Sequence, residues 1–193
     1  MREKSLYIIS GCNGAGKTTA SYTVLPEVLD CQEFVNADEI ARGLSPFNPE
    51  SVAIEAGRLM LQRIQELLKE EKTFSIETTL STKSYKNLVQ EAHAKGYKVK
   101  LIFFWLDTPE TAINRVAQRV SEGGHNIPVE TIVRRYYAGI INFFCIYMNY
   151  VDYWLLINNT TGDCEYVAEG GKDIDTVIFN DETFNKIKQY VRE

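Results

Sequence analysis

Paired cysteines, excess basic charge and an unbroken apolar span are all missing from this 193-residue chain. Its four cysteines, Cys12, Cys31, Cys145 and Cys164, form no CxxC pair, and none stands at a metal-ligand spacing from His93 or His125, the only two histidines. That argues against a metal or disulfide framework and leaves reduced thiols in a cytosolic chain. Lys and Arg number 21 against 26 Asp and Glu, a net charge of −5 that argues against non-specific nucleic-acid binding. A basic pocket for one phosphorylated ligand is still allowed. The longest apolar region, "IINFFCIYMNYVDYWLLIN", is broken by Asn142, Asn149 and Asp152. A membrane span would bury each of those groups at several kcal/mol, roughly, so a buried helix followed by a strand is expected. The opening "MREKSLYIIS" enters a strand directly, with no room for a signal peptide. No repeat, linker or low-complexity tract divides the chain, so a single domain over residues 1–193 is expected.

What is present alternates strand and helix. "LYIIS" (6–10) is a short apolar run, followed by a helix from Lys17 to about Asp30. "EFVNAD" reads as a second strand, and residues from Pro49 to Lys72 carry Val52, Ala56, Leu59, Met60, Ile64, Leu67 and Leu68 near helical spacing. "TFSIETT" is a third strand, and residues 82–95 a helix stopped by Gly96. "YKVKLIFFWLD" is the most strand-like run and should be central. Pro109 suits the first turn of a helix reaching about Ser121, and another helix runs from Val129 to about Tyr150. "DYWLLIN" is a fifth strand, "EYVAEGGKDIDTVIF" two more turning at Gly170-Gly171, and residues 181–192 a closing helix. Repeated strand–helix units predict an α/β fold: a parallel sheet of about five strands flanked by helices, with a small C-terminal hairpin.

The stretch "GCNGAGKTT" carries the most chemistry. Gly11 to Thr18 matches GxxxxGK[ST] at every fixed position, between a strand and a helix, which predicts a P-loop fold. Gly11, Asn13, Gly14, Ala15, Gly16 and Thr19 contribute the backbone cradle for phosphates, and the helix N-terminus adds partial positive charge. Lys17 reaches the terminal phosphates, and the Thr18 hydroxyl suits Mg²⁺. Cys12 reads as a tolerated spacer. No N/TKxD guanine-reading stretch and no LSGGQ-like signature appear, which disfavours a GTPase or a transporter ATPase.

Ligands in doubly wound sheets sit beyond the carboxyl ends of the strands, which directs attention to the other strand tips. At the second lies "FVNADEIARGLSP". Asp38 either accepts the proton of an attacking hydroxyl or caps a helix Glu39–Leu44, while Asn36 holds the loop or the substrate. At the third, Glu77 either orients metal-bound water or bonds an acceptor hydroxyl, with Thr78 and Thr79 beside it. Asp107, ending "LIFFWLD", competes with Glu77 for the metal-related role, but in "DTPE" it equally reads as a helix cap before a first-turn proline, the reading favoured here. Arg115 and Arg119 lie one turn apart, followed by the glycine-rich "EGGHNIP" and then Arg134 and Arg135. This region, about 110–137, reads as a helical lid whose arginines neutralise charge on a transferring phosphoryl group and exclude water. His125 donates to phosphate, caps the turn, or is exposed. The alternative to such a kinase is a P-loop switch that hydrolyses ATP and acts through a protein partner.

Together "GCNGAGKTT", "FVNADEIARGLSPFNPE", "AGRLMLQRI", "FSIETTLS", "GGHNIPVETIVRRY" and the "VAEGG" tail resemble the compact bacterial zeta-toxin-like P-loop kinases, over roughly residues 5 to 180. The resemblance implies phosphorylation of a sugar hydroxyl of UDP-N-acetylglucosamine, or of another nucleoside or sugar acceptor, with ATP or GTP and Mg²⁺. It implies Asp38 as general base, Lys17 as the phosphate-binding lysine, Arg115 as the first lid arginine, and Glu77 and Thr79 as substrate-site positions. Arg119 is expected beside the nucleotide. The second lid arginine has no clean counterpart: His125 stands at its place, and Arg134 is the candidate to supply the charge. A neutralising protein antitoxin is implied as a partner in the cytoplasm.

Overall fold

The computed structural model describes residues 3–191 apart from 28 and 125. Among these residues seven strands form one sheet: β1 (Ser5–Gly11), β2 (Phe34–Val35), β3 (Phe74–Thr78), β4 (Lys98–Trp105), β5 (Tyr153–Asn158), β6 (Glu165–Gly171) and β7 (Ile174–Ile178), in the order β2-β3-β1-β4-β5-β6-β7. The first five are parallel, while β6 and β7 add antiparallel to β5. The C-terminal hairpin is thus an extension of the main sheet. β4 lies at the centre of the order, as its continuous apolar run requires: a strand buried on both faces has no polar side to alternate with.

Among the described residues seven α-helices connect and cover these strands: α1 (Lys17–Glu27), α2 (Ala37–Leu44), α3 (Ala53–Lys69), α4 (Tyr85–Ala94), α5 (Pro109–Ser121), α6 (Val129–Cys145) and α7 (Asp181–Gln189). Several are shorter than the sequence pattern suggests. α1 ends one residue after Pro26, whose ring crowds the preceding turn and offers no N–H to continue it. Residues Pro49–Val52 form a 3-10 turn before α3, and α6 stops at Cys145 before a second such turn, Tyr147–Asn149. In α3, Ala56, Met60, Ile64, Leu67 and Leu68 face the core, while Leu59 falls off that stripe and is exposed.

Three expectations are corrected. β2 spans only Phe34–Val35 because Asn36 already acts as the N-cap of α2, accepting the Asp38 amide at 2.8 Å. Asp38 therefore lies in the first turn of α2 and is not its cap. Likewise Thr108 caps α5, accepting the Thr111 amide at 3.1 Å, while Asp107 accepts the Thr111 hydroxyl at 2.7 Å. Gly170 and Gly171 belong to β6, and the hairpin turns at Lys172-Asp173. The glycines serve close approach instead: a Cβ at Gly171 would stand 2.1 Å from the Asp152 carbonyl oxygen, and one at Gly170 2.7 Å from the Trp154 ring.

The lower end of the sheet is pinned by Asp152, which accepts from the Val99 amide and the His93 imidazole, both at 2.8 Å, and lies 3.1 Å from Lys172. Burial would raise its pKa, but those donors outweigh burial and hold the carboxyl well below the usual range. The upper end, where Gly11, Val35, Thr78, Trp105 and Asn158 close the parallel strands, is left for a ligand.

Candidate functional site

The loop between β1 and α1 fixes the first wall. A Cβ at Gly11 would stand 2.2 Å from the Phe104 carbonyl oxygen, so only glycine lets β1 run this close to β4. Gly14 and Gly16 take φ of +79° and +84°, the left-handed conformations that turn a loop around an anion. Two neighbours brace it. Asn159, just past β5 and buried, donates its side-chain amide to the Ala15 carbonyl at 2.8 Å. Arg115 donates to the Asn159 and Thr160 carbonyls at 2.9 and 2.8 Å and, more weakly, to Gly14 at 3.4 Å. The Arg115 guanidinium is thus engaged with loop carbonyls, bracing the cradle from outside. Cys12 is buried within the loop. Burial pushes its thiol up to about 11 despite the nearby Lys17 and Arg115, which suits an inert spacer.

Glu77, at the end of β3, is the hub of the second wall. One carboxylate oxygen accepts from the Thr18 hydroxyl at 2.8 Å and the Asn36 amide at 2.9 Å, and the other lies 3.7 Å from Lys17 Nζ. Lys17 also donates to the Cys12 carbonyl at 2.9 Å. Both side chains of this ion pair are under 10 % exposed, 7 % and 9 %. Three strand tips, those of β1, β2 and β3, therefore meet at one carboxylate. Thr18 and Glu77 offer hard oxygen donors side by side, the share of a coordination shell that Mg²⁺ takes from protein when phosphate oxygens and water complete it.

The third wall comes from α2 and α6. A chamber of ≈ 220 Å³ is lined by Asn13, Lys17, Asn36, Glu77, Thr78 and Thr79 together with Asp38 of α2 and Arg135 of α6. A second chamber of ≈ 180 Å³ lies beyond, between α2, the Pro49 turn and the start of α6. Asp38, Ala37 and Arg135 line both and so form the sill between them. Arg135 also donates to Asn13 Oδ1 at 3.3 Å, tying α6 to the phosphate loop. Burial holds its guanidinium below the ordinary value; the Asp38 carboxylate opposes this and Arg134 reinforces it.

The expected residues thus divide. Lys17, Thr18, Asn36, Asp38, Glu77, Thr78 and Thr79 converge on one cleft with Asn13, and Gly11 to Gly16 shape its rim. Thr19 is exposed on α1. Arg119, at the end of α5, accepts the Gly124 amide on its carbonyl at 2.8 Å and lines neither chamber. Arg134, expected at the substrate, is exposed and also lines neither chamber. His125 lies outside the described residues. The cleft arginine is Arg135, and helical arithmetic shows why: it stands three residues after Ile132 and four before Gly139, both buried, whereas Arg134 is aligned with exposed Tyr137 and Ile141. Asn159 was signalled only by a polar residue ending a strand, "LLINN".

The sequence model described as Zeta toxin matches residues 2–151. A Haemophilus influenzae protein, described only as uncharacterized, is 30 % identical over 136 residues, covering 70 % of this chain and 94 % of that one. Among solved structures, the AvrRxo1-ORF1:AvrRxo1-ORF2 complex with sulphate ions matches with a TM-score of 0.79 at 19 % identity, covering 96 % of this chain. The same complex with ATP matches at 0.75 and 19 %, again over 96 % of this chain. The chain spans 63 % of the length of those AvrRxo1 chains. A chain of the PezAT chromosomal toxin–antitoxin system of Streptococcus pneumoniae matches at 0.68 and 16 % identity, over 98 % of this chain and 79 % of that one. These structural likenesses are ones of fold: a mostly parallel sheet flanked by helices, with the phosphate loop after its first strand.

Proposed function

The chain belongs to the zeta toxin family, and from that premise we propose that it is a kinase moving the γ-phosphate of ATP onto a hydroxyl of a small acceptor. UDP-N-acetylglucosamine is the first acceptor to test. The observation that carries this reading is one chamber of ≈ 220 Å³ lined by Lys17, Asn36, Glu77, Asp38 and Arg135, with the Thr18 hydroxyl bonded to Glu77 at its edge. Such a chamber, polar on both walls, suits a hydroxylic acceptor.

The amides of Gly14 to Thr18 and the Lys17 ammonium hold the nucleotide's terminal phosphates. Thr18, with Glu77 bonded to it, would hold Mg²⁺, and the ion would supply neutralisation of phosphate charge there. Asn36 and Glu77 bond and orient the acceptor's hydroxyls, and Asp38 accepts the proton of the attacking one as its oxygen bonds to the γ-phosphorus. The bond from that phosphorus to the β–γ bridging oxygen breaks, and ADP departs with the electron pair. Arg135, reaching the same sill from α6, stabilises the equatorial charge, a role that Arg115 is too engaged with carbonyls to fill. A neutralising protein antitoxin and a cytoplasmic location are proposed on the family's footing. Among the described residues no helix is long and apolar enough to cross a membrane.

The test incubates the protein with ATP, Mg²⁺ and UDP-N-acetylglucosamine and identifies the product by mass spectrometry. Asp38→Ala should lose about 10²- to 10⁴-fold in transfer while ATP affinity stays within about twofold. Undiminished transfer by that variant removes the base assignment. ATP hydrolysis indifferent to any acceptor but responsive to a protein would favour the switch.

A further inference from the structure

Ala37, Met60, Thr82 and Tyr85 line the polar chamber and also line a groove of ≈ 570 Å³ between α3 and α4, so these four residues form a wall, or threshold, common to two adjacent spaces. The chemistry changes across that threshold. The chamber holds Glu77, Thr78, Thr79 and Ser81, whereas the groove is lined by Ile54, Leu61, Ile64 and Leu88 with Arg58 and Asn87 among its polar residues. Ile54 and Leu61 are 76 % and 60 % exposed, large apolar groups left in water beside a polar cleft. The far end is bridged by Gln65, which donates to Glu91 at 3.0 Å between the two helices.

Gly57 lies at the middle of the same stripe of α3, three residues from Ile54 and four from Leu61. A Cβ built there meets nothing within 4 Å, so packing does not require the missing side chain. Mid-helix glycine is unfavourable relative to alanine, and its effect here is to keep the groove open next to the threshold.

We infer that the acceptor is amphiphilic: a hydroxyl-bearing polar head in the chamber beside Glu77 and Asp38, joined to an alkyl or aryl group lying in the α3–α4 groove. Adjacency of the two spaces selects this occupant, because a group lying in the groove against the four shared residues is within reach of a head held in the chamber. The inference rests on the kinase reading for the head's reaction but not for the binding of the tail.

The experiment therefore reads binding. n-Alkyl β-glucosides from methyl to octyl, each below its micelle-forming concentration, are titrated against the full chain by NMR, following the Met60 methyl and the Tyr85 ring. Affinity should rise by about two- to fourfold per methylene, with shifts at both residues. Gly57→Leu fills the groove at a position with open space, so it should melt no lower than wild type and give a flat series, while Gly57→Ala keeps most of the gain. A flat series in wild type, or an undiminished gain in Gly57→Leu, overturns the inference. So does a flat series accompanied by wild-type self-association that Gly57→Leu abolishes, which would assign the groove to a second copy. A rising series with no phosphoryl transfer to any acceptor would sink the kinase reading alone.

Discussion

The two halves of the cleft are built in opposite ways. On the β1–β3 side the side chains are bonded to one another: Lys17 bonds Cys12, and Thr18 and Asn36 bond Glu77. The donors come from strand tips and a helix N-terminus, so their positions follow from sheet register, in which Ser10 pairs with Thr78. On the α2–α6 side, Asp38 and Arg135 project from helix surfaces into space shared by two chambers. The first half is set before any ligand arrives, and such preorganisation suits phosphate binding. The second half has room, as acceptor binding and closure require.

That contrast can be broken experimentally. On the proposed reading the largest effect falls on the open side. Arg135→Ala should reduce phosphoryl transfer by about 10³-fold, with ATP affinity changed only a few-fold. Equal loss of ATP binding would erase the distinction between the halves. Arg115→Ala tests the braced side. Removing its bonds to Asn159 and Thr160 should weaken ATP binding about tenfold and lower stability by about 1–3 kcal/mol, read by calorimetry and denaturant melts. A pure rate defect there would return Arg115 to the transferring phosphate.

Smaller effects lie away from the cleft. Asp152 has a depressed folded-state pKa, so its contribution to stability is present above the unfolded carboxyl's pKa and is lost as pH falls through the folded value. Asp152→Asn should cost about 1–3 kcal/mol at pH 7 and flatten the acid limb of the melting-temperature profile, with transfer by the folded enzyme unchanged. An unaltered pH profile would remove the pinning role. Arg134→Ala should change both transfer and stability least, within about twofold in rate, since the side chain is exposed. A defect as large as that of Arg135→Ala would mean that α6 rotates in the working enzyme.

Legibility in the sequence followed the range of the interactions. The phosphate loop was readable because its conformation is set by consecutive residues: glycines at left-handed positions, then a helix start. Glu77 and Asp38 were readable as polar residues ending or following strands. Their division of labour was not: Asn36 rather than Asp38 caps α2, and the choice rests on a single hydrogen bond. The arginines were harder still. Four cations flanking a glycine break look alike in one dimension, and burial alone separates Arg135 from Arg134. The hairpin glycines misled for a related reason, because a glycine that admits a neighbouring backbone reads like one that turns the chain.

By itself, then, the sequence determined the parallel α/β order, the anion cradle and the set of carboxylates at the strand tips, all consequences of local pattern and of the rule that strands end where ligands begin. Tertiary structure alone decided that Glu77 gathers Lys17, Thr18 and Asn36, that Arg115 braces a loop while Arg135 faces Asp38, and that an apolar groove opens beside the polar chamber. Those outcomes depend on distances between residues up to about a hundred positions apart, and only the packed sheet and its helices set such distances.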